Sequence, residues 1–368
     1  MSLTKAELER YKRHTFLPEI GVEGQLKLKN ASVLIVGTGG LGSPIAMYLA
    51  ASGVGHIGLV DFDVVDESNL QRQIIHKSKN VGKLKTQSAA ETLKDINPHI
   101  EISLFNEALN VDNALDIVEQ FDIVTDGTDN FATRYLVNDA CVLSGKVNVF
   151  GSIRQFEGQV SVFGTTDGPC YRCLFPEPPQ PGIVPSCAEA GVMGVLPGVI
   201  GTLQATEIIK QITGIGEALI GRLLSYDALK MDFNEIKFIK DPDCKCCGEK
   251  PSITGLVNYD AFCCSKPASI VREINVETLK DSIENDKSPV LIDVRDSEEL
   301  KEGFITNSIH IPMEEVAKRV HEIPKDKPVV VYCYSGMRST RVIQELEQKG
   351  YTNLVNLRGG YEDWETII

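Results

Sequence analysis

The sequence predicts an α/β protein of two units, a doubly wound sheet followed by a smaller α/β domain. Three observations carry this. From residue 31 onward, short apolar runs alternate with stretches of helical periodicity, the pattern of strands buried between helical layers. The alternation lapses over 249–270, which carries Pro251, Gly255 and Pro267, and begins afresh at 271. The full length of 368 residues is also too great for one typical domain. The expected division is a first domain at 1–248, a linker at 249–270 and a second domain at 271–368.

Residues 5–30 are rich in Lys, Glu and Leu and predict helix, interrupted by Pro18 and Gly21. The run 31–37 is a buried parallel strand, followed by an apolar helix near 43–52 and a second strand ending at Asp61. A helix at 83–96 and strands at 100–105 and 121–125 continue the alternation. The stretch 176–190 holds too many prolines for a regular element and predicts a long crossing loop before a helix at 198–212. In the second domain, strands are expected at 289–294, 328–333 and 353–357, and helices at 314–320 and 339–349. No internal repeat or low-complexity tract is visible.

A net charge of −14 argues against non-specific nucleic-acid binding, which needs basic surface, but leaves room for a small basic protein partner. No apolar run is long enough to span a bilayer, and residues 1–10 lack the basic-then-apolar pattern of a signal peptide. A cytoplasmic location is expected. In a reducing compartment ten cysteines point to metal ligation and thiol chemistry, not to a disulfide framework.

The first chemical signal is Gly37-Thr38-Gly39-Gly40-Leu41-Gly42, placed between a strand and a helix. Its glycines, Gly37, Gly39, Gly40 and Gly42, permit a tight turn and bring backbone N–H donors close to phosphate oxygens. Asp61 closes the second strand, where a carboxylate accepts from ribose hydroxyls. Alone, this Rossmann-like pattern suits a nicotinamide oxidoreductase. The following residues do not: Asp63, Asn69, Arg72, Gln73 and Lys85 gather cations and amides suited to a triphosphate, although Asp63 has a plainer reading as a turn cap. Asp129, in Asp126-Gly127-Thr128-Asp129-Asn130, stands where a magnesium ion would bridge phosphates.

Cys170-Tyr171-Arg172-Cys173 and Cys244-Lys245-Cys246-Cys247 are two Cys-x-x-Cys turns about seventy residues apart, together a strong signal for structural zinc on Cys170, Cys173, Cys244 and Cys247. Cys246 is expected to be a bystander. With four thiolates on the metal no position remains for an activated water, so the site fastens and does not catalyse. Cys141 reads as a helix-core residue, and Cys263 and Cys264 as linker residues without a role.

Near the C-terminus, Cys333-Tyr334-Ser335-Gly336-Met337-Arg338 links an apolar strand to a helix. A cysteine there meets free N–H donors at the positive end of a helix, which stabilises a thiolate or an anionic persulfide. Gly336, Arg338 and Ser339 complete an anion cradle. Four residues separate Cys333 from Arg338, one fewer than in cysteine phosphatases, and the smaller cradle favours sulfur.

Residues 5–248 closely resemble the ubiquitin-activating-enzyme superfamily, specifically the bacterial adenylyltransferases for ubiquitin-like sulfur carriers of molybdopterin and thiazole synthesis. The glycine loop, Ser68-Asn69-Leu70-Gln71-Arg72-Gln73 and Thr128-Asp129-Asn130 occur in that family's order. The resemblance implies a Rossmann-like adenylating domain with a mixed sheet. It implies ATP with its ribose on Asp61 and phosphates on Asn69, Arg72 and Lys85, Mg2+ on Asp129, and zinc on the four cysteines. Arg13 matches a family arginine that reaches ATP from the neighbouring subunit, which implies a homodimer.

Residues 271–368 resemble a rhodanese domain over their whole length. Leu291-Ile292-Asp293-Val294-Arg295, Ser308-Ile309-His310-Ile311-Pro312, the Cys333 loop and Gly359-Gly360-Tyr361 fall in order. Asp293 and Arg295 are expected to form a structural pair and His310 to be a core histidine. The fusion implies adenylation of a small ubiquitin-like sulfur carrier protein ending in Gly-Gly, then sulfur transfer from a Cys333 persulfide. The donor would be a cysteine desulfurase or thiosulfate. Cys187, in the Pro-rich loop at the family's second cysteine, would accept the carrier as a thioester or resolve the acyl persulfide with Cys333. A rival reading makes the second domain a docking module only.

Overall fold

The computed structural model describes residues 2–179, 191–259, 271–284 and 289–366. The chain divides into Met1–Ser265 and Lys266–Ile368. No described helix is long and apolar enough to cross a membrane.

The first unit opens with three short helices, α1 (Lys5–Arg10), α2 (Lys12–Thr15) and α3 (Gly21–Asn30). Thr4 and Glu7 form a capping box: Glu7 N donates to Thr4 Oγ1 at 3.2 Å and Thr4 N to Glu7 Oε2 at 2.8 Å. Lys29 on α3 pairs with the buried Glu7 at 2.7 Å and ties the two helices together. The predicted interruption falls between α2 and α3, and Gly21, which opens α3, has φ +56°.

There follow β1 (Ser32–Val36), α4 (Gly42–Ser52), β2 (His56–Val60), α5 (Lys85–Ile96), β3 (Glu101–Phe105), α6 (Ala114–Val118), β4 (Ile123–Asp126), α7 (Phe131–Leu143) and β5 (Val147–Arg154). The five strands are parallel in the order β3-β2-β1-β4-β5. Alternation along β1 sorts the two faces. Val33 and Ile35 pack with Ile45, Leu49 and Ile208, whereas Leu34 and Val36 pack with Phe121, Leu136 and Phe150. Each fully buried aliphatic side chain contributes about 1.5–3 kcal/mol. Gly58, opposite Leu34, has no room for a side chain, since a Cβ would lie 2.3 Å from the Phe121 ring.

Three antiparallel strands extend the sheet: β6 (Glu157–Phe163), β7 (Arg222–Asp227) and β8 (Asp232–Lys237). The sheet is therefore mixed, as the resemblance implied. Between β6 and β7 lie α8 (Tyr171–Leu174) and α9 (Leu196–Thr213). Because β1 leads to α4 and the adjacent β4 to α7 on the other face, a crevice opens at the strands' carboxyl ends.

The second unit has a fully parallel sheet in the order β11-β10-β12-β13-β9. Its strands are β9 (Glu273–Ile274), β10 (Val290–Asp293), β11 (Ile309–His310), β12 (Val329–Tyr332) and β13 (Leu354–Leu357). Its helices are α10 (Val276–Glu284), α11 (Val316–Arg319), α12 (Met337–Gln348) and α13 (Gly360–Glu365). Ile292, Val331, Ile343 and Leu346 form one core, and Leu291, Val330, Tyr332 and Trp364 the other. The helix expected at 314–320 is one turn of α-helix flanked by 3-10 turns at Met313–Glu315 and Val320–Glu322.

Candidate functional site

At the crevice, Gly37 takes φ +88° and its N–H donates to the Val60 carbonyl at 2.8 Å, locking the turn to β2. A Cβ on Gly42 would lie 2.0 Å from Gly37 O, so the first turn of α4 closes onto the loop only as glycine. Asp61 Oδ2 accepts from Thr38 N at 2.8 Å and Thr38 Oγ1 at 2.9 Å, while Oδ1 accepts from Asp63 N at 3.0 Å. The half-buried carboxylate is thereby fixed in rotamer, with one lone pair of Oδ1 left for a ligand hydroxyl. Buried His76 supports Thr38 from behind, its Nε2 3.1 Å from Thr38 O and its Nδ1 3.0 Å from Ser88 Oγ. Burial lowers the His76 pKa, so the ring is neutral and Nε2 carries the proton to the carbonyl.

Lys85, 7% exposed, pairs with Asp63 at 2.8 Å, which gives Asp63 more than a capping role. Arg72 is braced by Ser68 O at 3.1 Å, and the buried Gln73 has no partner on Oε1. A cavity of about 860 Å3 is lined by Gly37, Gly39, Gly40, Asp61, Asp63, Arg72, Gln73, Lys85 and Asp129, large enough for a nucleotide. Asn69 and Gly42 support this lining without joining it. Asp129 is exposed to the cavity one residue before Asn130, whose side chain caps α7 by accepting from Thr133 N at 2.8 Å. Arg13 is exposed on α2 and does not line the cavity. Cys187 lies outside the described residues, as do Cys263 and Cys264.

The four predicted metal ligands converge. The sulfurs of Cys170, Cys173, Cys244 and Cys247 all lie within 4.8 Å of one another, with Cys170–Cys244 at 3.6 Å and Cys173–Cys247 at 3.4 Å. Zn–S bonds of about 2.3 Å set tetrahedral sulfur–sulfur edges near ~3.8 Å, so the set fits zinc. Cys246 is buried beside the cluster but is not one of the four. Cys141 is buried in α7, and burial pushes its thiol well up.

Arg172, between the first two cysteines, forms two 2.7 Å bonds to buried Asp139 of α7, and the Tyr259 hydroxyl donates to Asp139 Oδ2 at 2.7 Å. Asn138 accepts from Tyr171 N at 2.8 Å. Helix α7 thus runs from the Asp129 loop to the cysteine cluster. Tyr259 sits in the core shared with Phe121 and Tyr135, so the first unit continues well past residue 248. Neither link is legible in sequence, because their partners lie 33 and 120 positions apart.

In the second unit Cys333 is 1% exposed, with Gly336 N donating to its Sγ at 3.2 Å. Ser339 Oγ is 3.5 Å from Sγ and donates to Asn356 Oδ1 at 2.7 Å. Gly336 takes φ +91° to cap α12. From behind, Tyr361 N and Glu362 N donate to the carbonyls of Cys333 and Tyr334 at 2.8 and 2.9 Å. Arg338 makes a two-pronged pair with Glu299, both contacts 2.6 Å, and this pairing holds Glu299 below the usual carboxylate range despite partial burial. The expected Asp293–Arg295 pair is fully buried at 2.7 Å, and the Arg295 guanidinium carbon lies 4.1 Å from the centroid of the Tyr361 ring. His310 Nε2 lies 2.8 Å from Arg295 O, a structural contact.

A nucleotide crevice, a four-cysteine clasp and a sulfur-type loop in one chain define a fused adenylating and sulfurtransferase protein. The chain belongs to the ThiF family, which it matches over residues 11–247, and carries a rhodanese-like domain over 275–367. It is 46% identical over 374 residues to the probable adenylyltransferase/sulfurtransferase MoeZ of Mycobacterium tuberculosis, covering 99% of this chain and 94% of that one. To the adenylyltransferase and sulfurtransferase MOCS3 of Culex quinquefasciatus it is 42% identical, over 98% and 88%. To a sulfur carrier protein adenylyltransferase of Thermus thermophilus it is 51% identical, over 72% and 99%. Among solved structures, E. coli MccB with ATP matches with a TM-score of 0.58 at 26% identity, over 67% of this chain and 75% of that one.

Proposed function

We propose that the chain adenylates the C-terminal carboxylate of a small ubiquitin-fold sulfur carrier ending in Gly-Gly, and then sulfurates it from a Cys333 persulfide. The observation that carries this is the Cys333 sulfur at the α12 N-terminus, in the same chain as the glycine-loop cavity with Asp61 and Asp129. In the first step a carboxylate oxygen bonds to the α-phosphorus and pyrophosphate leaves. In the second the terminal persulfide sulfur attacks the acyl carbon and AMP leaves. Reductive cleavage of the resulting acyl disulfide, by a thiol or by Cys187 forming a disulfide with Cys333, releases the thiocarboxylate.

Asp61 orients the ribose, while the loop N–H groups, Arg72 and Lys85 hold phosphates. Asn69 braces that wall, its carbonyl accepting from Arg72 N at 3.1 Å and Gln73 N at 2.9 Å. Asp129 would hold Mg2+, which neutralises charge on the phosphates when bound. Zinc on the four cysteines would fasten α8 to the segment after β8. Arg13 would complete the site of a second copy in a homodimer, since it is exposed beside exposed Phe16 and Leu17.

ATP–pyrophosphate exchange with Gly-Gly-ending carriers of the same organism tests the reading. Exchange that needs one carrier and Asp129 but survives Cys333→Ala supports it. Absence of exchange with every carrier overturns it.

A further inference from the structure

The cations lining the described cavity are Arg72, Lys85, Arg134 and Arg154. Arg72 is braced by Ser68 and Lys85 by Asp63, both in the segment around β2 and α5. Arg154 is exposed at the end of β5. Arg134 differs in place and in state. It projects from α7, on the opposite face of the sheet from α4, and is 8% exposed.

Its guanidinium carbon lies 5.3 and 5.2 Å from the ring centroids of Phe131 and Phe150. Its Nε has no hydrogen-bond partner, the nearest acid being Asp126 Oδ2 at 3.5 Å. Nη2 meets Thr128 O only at 3.5 Å. Burial disfavours its charge, but Tyr171 and Asp126 outweigh burial and keep it a cation. Tyr171 and Asp126 thus offset its burial, while Nε, a buried donor without a hydrogen bond, keeps bonding capacity to spare. An anion entering the cavity would use it.

We infer that Arg134 binds the carrier's terminal carboxylate and orients it for attack. This rests on the adenylation reading given above. The phosphates already have the loop donors, Arg72 and Lys85 on the other side of the crevice. Beside Arg134 the cavity is lined by aromatic rings, Phe131, Tyr135, Phe150 and Tyr171 among them. A carboxylate stays ionised in such surroundings only beside a cation, and ionised it is the nucleophile the step requires. Its oxygen bonds to the α-phosphorus as the bond to pyrophosphate breaks, so no proton moves and Arg134 remains charged throughout. Thr128 and Asp126 hold the loop that carries Asp129, since Asp126 Oδ1 accepts from Thr128 N at 2.9 Å and Thr128 Oγ1 at 2.6 Å. Arg134 therefore meets the carboxylate next to Asp129.

The test uses the full chain and the carrier that supports exchange in wild type, prepared with a C-terminal carboxylate and with a C-terminal carboxamide. Calorimetric titration without turnover gives the affinity of each form for wild type, Arg134→Gln and Arg134→Lys. Wild type should prefer the carboxylate by about 10- to 100-fold, the worth of a charge-assisted hydrogen-bonded pair. Arg134→Gln should lose that preference while keeping its affinity for the carboxamide carrier and for ATP, and Arg134→Lys should recover part of it. Retained carboxamide and ATP binding show that the variant is folded. An unchanged preference in Arg134→Gln overturns the inference, as does a loss confined to ATP affinity, which would place the arginine on the nucleotide. Lack of exchange by wild type with any carrier would instead mark failure of the adenylation reading.

Discussion

Gly360 lies directly behind the sulfur loop, and Gly360→Ala is expected to separate the two activities. The residue has φ +63°, and a Cβ there would stand 2.3 Å from Tyr334 O and 2.5 Å from Cys333 O. Real Cβ contacts begin near 3.0 Å, so these carbonyls must retreat by about 0.7 and 0.5 Å. Both accept the N–H groups of Tyr361 and Glu362, so the retreat deforms the loop that aims Gly336 N at the Cys333 sulfur. Left-handed backbone at a residue with a side chain adds about 1–2 kcal/mol, and a misplacement approaching 1 Å lowers a positioned reaction by up to about 100-fold. Sulfur transfer from thiosulfate to cyanide, read as thiocyanate, should fall about 10- to 100-fold. ATP–pyrophosphate exchange should stay within about twofold, because residue 360 belongs to the second unit. Gly350→Ala is the control. It has φ +83° but nothing within 4 Å of the added carbon, so it brings backbone strain without the clash. A folded Gly360→Ala protein that transfers sulfur as fast as Gly350→Ala would refute the reasoning.

Four further outcomes are expected. Asp129→Ala should lower exchange by about 100-fold or more while leaving the melting temperature unchanged, since the side chain is exposed. Metal analysis should find one zinc per chain, and Cys173→Ser should lose it together with several degrees of melting temperature in the first unit. Asp293→Ala strands the fully buried Arg295 charge and should destabilise the second unit by about 3–5 kcal/mol in chemical denaturation. Glu7 is buried, which raises its pKa, but Lys29 and the Thr4 cap outweigh this and bring it to about 2. A depressed folded pKa stabilises above the unfolded value near 4.5 and loses that contribution as pH falls toward 2. Glu7→Gln should therefore cost up to about 3 kcal/mol at pH 7 and almost nothing at pH 2, measured by denaturation across that range.

The glycine loop, the two Cys-x-x-Cys turns and the Cys333 loop were legible because each is a short run whose chemistry is local. Of the parallel strands, β1, β2, β4, β10, β12 and β13 were legible as apolar runs buried on both faces. β8 was not, since all six of its residues are exposed and no alternation marks it. β9 and β11, two residues each, carry no period at all. Thr38 hid inside the glycine loop, although a hydroxyl there facing a strand-end acid is a usable signal. Arg134 sits four positions after the Asn130 cap, and only the fold brings it back over Phe150 and Asp126.

Tyr259 bears on whether the adenylating half can be made as an independent piece. A fragment ending at residue 248 retains every cysteine of the cluster and every residue of the nucleotide cavity. Yet it lacks the phenol, 4% exposed in the intact chain, that fills the space beside Asp139 and shares the carboxylate with Arg172. Removing an aromatic side chain from a core weakens a fold by about 3–5 kcal/mol, much of the reserve of an ordinary domain. Severed there, the half would hold all of its chemistry and little of its stability, whereas a fragment carried through Tyr259 would keep both.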